Sequence, residues 1–140
     1  MTSPQRRTNV PSRKAVATAR RVEDALIRAW GRDRVEASTD TDSTTFARVP
    51  HDGEPLVRVV VNRRGDVTVL LDGFECDEDW ERVVATLEAP EVVTVHRGQN
   101  WVHCFVLDGP GGSAAFYVIG SEASGDSSTR RWLRALPGWE

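Results

Sequence analysis

The chain has 140 residues, 39% of them hydrophobic and 28% charged, with a formal net charge of −3 at pH 7. That length suits one domain with its own core, and the composition is that of a soluble globular protein. No apolar run reaches the roughly 18–20 residues that span a bilayer, and no apolar leader opens the chain, so the expected location is the cytoplasm.

The charge is unevenly placed. Residues 1–34 hold nine Arg or Lys against three acids, a balance of +6; residues 35–140 hold nine against eighteen, a balance of −9. A basic segment on an acidic body points either to a polyanionic partner or to complementation of that body. The two cysteines, Cys76 and Cys104, sit in apolar settings and read as buried thiols, not as a disulfide framework.

Residues 1–12 mix Pro, Ser, Thr, Arg and Asn without periodicity, which predicts a disordered basic arm ahead of a single domain over residues 13–140. Ser12 then offers an N-cap, and a helix is expected from Arg13 to Trp30 with Gly31 behind it. Ala15, Ala19, Val22, Leu26 and Ala29, with Val16, Ile27 and Trp30, form its apolar stripe, and Arg13, Arg20, Arg21 and Arg28 lie mostly off it. The Asp/Ser/Thr cluster over residues 38–45 reads as loop, followed by a short strand over Thr44–Val49. Residues 51–55 form a turn, and LVRVVVN (56–62) and VTVLLD (67–72), joined by Arg63-Arg64-Gly65-Asp66, predict a hairpin.

Asp77 starts a second expected helix: acids fill its first turn, Trp80, Val83, Val84 and Leu87 follow at helical spacing, and Pro90 ends it. The stretch from Glu91 to Gly120 is a three-stranded meander, with turns at Arg97–Asn100 and Asp108–Gly112. A last short helix is expected from Asp126 or Ser127 to Leu136. The order α-βββ-α-βββ-α describes an α+β fold: an antiparallel sheet of about five to six strands flanked by helices.

If the meander's turns close as simple hairpins, His96 lies opposite Trp101, Thr94 opposite His103 and Phe105 opposite Phe116. One face then carries Val92, Thr94, His96, Trp101, His103, Phe105, Leu107, Ala114, Phe116 and Val118, which mixes aromatics with polar groups. The other carries small branched residues suited to packing under helices. The mixed face is the candidate partner-binding surface, through Trp101, His103, Phe105, Phe116 and His96. The competing reading covers both faces and leaves the histidines at the rim.

Nothing in the sequence points to a catalytic or cofactor site. His96 and His103 would neighbour each other, but no third ligand accompanies them. Strand alternation separates His103 from Cys104, and no nucleophile elbow, metalloprotease motif or Cys-x-x-Cys pair occurs. The acids at 75–79 fit a helix start, and Gly109–Gly112 is a strand-to-strand turn, without the helix N-terminus that cradles phosphate. Neither an enzyme nor a cofactor is therefore expected.

The element order resembles small bacterial folds with a helix-flanked antiparallel sheet, such as secretion-chaperone-like domains, and toxin-neutralising immunity proteins share its size and acidic body. The resemblance implies a protein that acts by binding another protein or itself. The expected function is a non-enzymatic protein-binding module, an adaptor, chaperone-like or immunity-type protein that can dimerise. The alternative is a nucleic-acid-associated regulator using Arg13, Lys14, Arg20 and Arg21 on the first helix; a third, an enzyme of unknown class, needs a pocket that the sequence does not advertise. No membrane partner is expected.

Overall fold

The computed structural model describes residues 12–51, 54, 56–71, 74–76, 79–88, 90–97, 102–110, 112–119 and 135–138. In chain order its elements are helix α1 (Arg13–Trp30), a 3-10 turn (Arg32–Arg34), strands β1 (Val35–Thr39), β2 (Ser43–Arg48), β3 (Val57–Asn62), β4 (Val67–Leu71) and β5 (Phe74–Cys76), helix α2 (Trp80–Glu88), and strands β6 (Val92–Arg97), β7 (Val102–Gly109) and β8 (Gly112–Ile119). The fold is α+β with antiparallel strand pairing. Among the described residues no helix is long and apolar enough to cross a membrane. The expected arm over residues 1–12 lies outside the described residues except for Ser12, as does the expected last helix except for Leu136 and the residue before it.

The chain divides into two compact units: Met1–Val49 with Arg58–Val67, and Pro50–Val57 with Thr68–Glu140. In the first unit, α1 begins where the Ser12 side chain accepts a hydrogen bond from the Ala15 amide at 3.0 Å. This satisfies one of the amide donors a helix start leaves open. The helix ends at Gly31, whose φ of 94° suits glycine and whose amide reaches Ile27 O at 2.8 Å. Ala15, Val22, Leu26 and Trp30 recur at helical spacing and are buried with Phe46 of β2 and Val59 and Val61 of β3. A fully buried Leu26 contributes about 2 kcal/mol by removal from water.

The residues expected to form a loop over 38–45 instead supply the end of one strand and the start of its partner. Val35–Thr39 pairs with Thr44–Arg48, and the reversal shrinks to Asp40–Asp42. The Asp40 amide bonds Ser43 O at 2.8 Å, and its carboxylate accepts the Thr41 amide at 2.5 Å. Threonine is β-branched, so Thr39, Thr44 and Thr45 extend readily once they have strand neighbours. At the far end of β2, Arg48 is buried with its guanidinium 5.5 Å from the centre of the Trp30 ring, a cation–π contact. The turn after β3 closes on Asn62, whose side-chain oxygen accepts the amides of Arg64 and Asp66, both at 2.9 Å.

In the second unit the strand order is β4-β5-β8-β7-β6. Helix α2 follows Asp79, whose carbonyl accepts the Val83 amide at 3.0 Å, and lies against β8 and β7. Trp80, Val83, Val84 and Leu87 form its buried stripe, as their spacing implies. Cys76 is fully buried, in keeping with a core thiol; the Cys104 side chain lies outside the described residues.

The β6–β7 register differs from the expected one by three residues. His96 faces Cys104 and Thr94 faces Val106, where the hairpin reading put Trp101 and His103. His96 and its partner Cys104 enclose seven chain positions, 97–103, where the expected pair of His96 with Trp101 encloses four. A slip by an odd number of residues exchanges the faces of the whole strand. The result groups Val93 with Leu107, Ala114 and Phe116, all fully buried, and leaves Thr94 exposed. Burial of Val93 opposite Leu107 favours this register.

Candidate binding cleft on the first unit

The residues first expected to bind a partner do not form a described surface. Phe116 has 0% exposure, so it belongs to the core; its cross-strand neighbour is Phe105, as expected. Trp101 lies outside the described residues, as do the side chains of His96, His103 and Phe105. The pairing His96–Cys104 and Arg97–His103 also separates the two histidines into successive, different pairs. Among the described residues no cluster of three His, Cys, Asp or Glu could hold a metal.

A different site is built by the first unit. A cleft of about 300 Å³ opens between the N-terminal half of α1 and the strand ends beneath it. Its apolar lining comes from Ala15, Val16 and Ala19 of α1, Ala37 of β1, Phe46 of β2 and Val61 of β3. Small residues on the helix are what leave the space open: Ala15 and Ala19 stand one turn apart and reach only a methyl group toward the strands. Hydroxyls of Thr39, Thr41, Ser43 and Thr44 line the turn end.

The rim is charged. Arg20 and Glu23 come from α1, Asp40 and Asp42 from the β1–β2 turn, and Arg63 from the turn after β3. Arg63 Nη1 stands 4.0 Å from Asp42 Oδ1 on the surface, a separation worth little by itself. The turn is anchored to the helix start, because the Ser12 amide bonds Arg63 O at 3.1 Å. Gly65 fits there with φ of 91°, where an added Cβ would stand 3.0 Å from Lys14 Cγ.

At the lip of the cleft Val16 is 43% exposed, the one large hydrophobic so exposed among the described residues. The sequence pattern had grouped it with the apolar stripe, since positions 15, 16 and 19 share a helix side; only the strand positions reveal which of them is covered. Arg13, Lys14, Arg20 and Arg21 are all exposed on α1, and Arg13, Ala17 and Arg20 border a shallower depression next to Val16. No family model matches the chain, and no curated protein or solved structure shows significant similarity to it.

Proposed function

We propose that the protein is a non-catalytic protein-binding module, of adaptor, chaperone-like or immunity type, and that the α1–strand cleft is its binding site. The observation that carries this reading is the apolar cleft with Val16 exposed at its lip. An exposed large aliphatic beside an apolar recess, ringed by polar groups, is the form of a site that accepts an anchoring side chain. Glu23, Asp40 and Asp42 outnumber Arg20 and Arg63 around it, so the fitting segment places an apolar anchor next to a basic residue. A partner captured through a photo-crosslinker at Val16 and then purified tests the reading. Filling the recess with Ala19→Leu should weaken its binding at least tenfold, about 1.4 kcal/mol, while Thr94→Ala leaves it unchanged. Equal affinity for both variants would overturn the assignment.

A second reading is supported by four exposed cations in the first half of α1. As a nucleic-acid contact, Arg13, Lys14, Arg20 and Arg21 would touch phosphates without reading bases. Arg13→Ala with Arg20→Ala should then weaken binding to a labelled oligonucleotide and flatten its salt dependence by about two charges. An unchanged salt slope would dismiss it.

A further inference from the structure

The outer edge of β1 offers a second mode of interaction, through backbone groups, although Ala37, Thr39 and the Asp40–Asp42 turn also line the cleft. β1 ends the strand order, and Glu36, Ala37, Ser38 and Thr39 are all exposed. Its polarity follows from two bonds that bracket the β1–β2 ladder: Val49 N to Arg34 O at 2.9 Å, and Asp40 N to Ser43 O at 2.8 Å. Both lie on the register that pairs Val35 with Arg48 and Thr39 with Thr44. In an antiparallel ladder the hydrogen-bonded residues alternate, so residues 34, 36, 38 and 40 bond toward β2. Val35, Ala37 and Thr39 therefore turn their amides and carbonyls outward, and among the described residues no backbone group meets them.

Such an edge invites another strand unless charge, proline or a bulge blunts it. β1 holds no proline and one charge, Glu36. We propose that β1 pairs with β1 of a second copy, antiparallel about a twofold axis through Ala37. Ala37 then faces the second copy's Ala37, and Val35 faces the second copy's Thr39, with both bonds exchanged in each pair. Glu36 falls opposite the second copy's Ser38, so no like charges meet along the strand. Beyond the strand ends the same axis brings the Asp40–Asp42 turn of one copy beside the Arg32–Arg34 turn of the other. This acid-against-base match occurs twice, once at each end, and it selects the second copy over an unrelated strand.

The pairing predicts a solution mass of twice the 15.5 kDa chain by light scattering on a sizing column. Ala37→Pro removes an outward amide that β2 does not use, so it should give a folded monomer; Ala37→Lys, which sets two lysines face to face, should do the same. Asp42→Arg should raise the dimer dissociation constant about tenfold or more, and adding Arg32→Asp should restore it. Ala37→Cys should form an intermolecular disulfide on mild oxidation. A wild-type monomer at all concentrations overturns the proposal. So does a dimer that survives both Ala37→Pro and Ala37→Lys. The mass measurement needs no other protein, so its failure would leave the cleft assignment untouched.

Discussion

Val93 donates its amide to the carbonyl oxygen of Pro137 at 2.9 Å, so the chain's C-terminal turn covers the β6 strand beside it. Gly138 follows with φ of 94°, and a Cβ built there would stand 2.3 Å from the Val93 carbonyl oxygen. Neither the backbone angle nor the space admits a side chain. Gly138→Ala should cost more than about 1 kcal/mol in urea unfolding, and an unshifted midpoint would show that this contact does not form.

Phe116 is a core residue of the second unit, sharing its buried cluster with Val93, Leu107 and Ala114. Phe116→Ala should destabilise the protein by about 3–5 kcal/mol, and the exposed Thr94→Ala should change stability by less than about 0.5 kcal/mol. Denaturant titration followed by tryptophan fluorescence measures both. A stable Phe116→Ala protein that had merely lost an association would return this residue to the surface.

Ser12 tests the start of α1. Its side chain is the acceptor for the Ala15 amide, and its own amide ties the helix to Arg63 O. Ser12→Ala should cost about 1 kcal/mol, while Ser12→Asp, which keeps an acceptor near the helix N-terminus, should be close to neutral. Thermal unfolding by circular dichroism separates the two outcomes.

Much of the fold is legible in the chain because local chemistry and tertiary packing agree. The cap at Ser12, the stop at Gly31, the alternating valines of β3 and the Trp80–Val83–Val84–Leu87 stripe of α2 each carry their own signal. The strand expected over Thr44–Val49 is β2, but its partner β1 was hidden because Ser, Thr and Asp favour turns as isolated residues; their strand conformation depends on the pairing itself. The β6–β7 register turned on the length of the connection, and no local propensity distinguishes the expected pairing from one three residues away. The cleft was less legible still. Val16, Ala19 and Ala37 look like ordinary small core residues until the helix and strands are set against each other, and the exposure of Val16 is a property of that arrangement alone.

Binding by the first unit is assigned to the α1 cleft. Its most direct test is a crosslinking map, with one photoreactive residue placed in turn at Val16, Ala17, Thr94 and Glu75, each exposed in the folded chain. Illumination in an extract of the source cell should give one shared adduct from Val16 and Ala17 and none of that mass from Thr94 or Glu75. Adducts of that mass from Thr94 or Glu75, with none from Val16, would contradict the account.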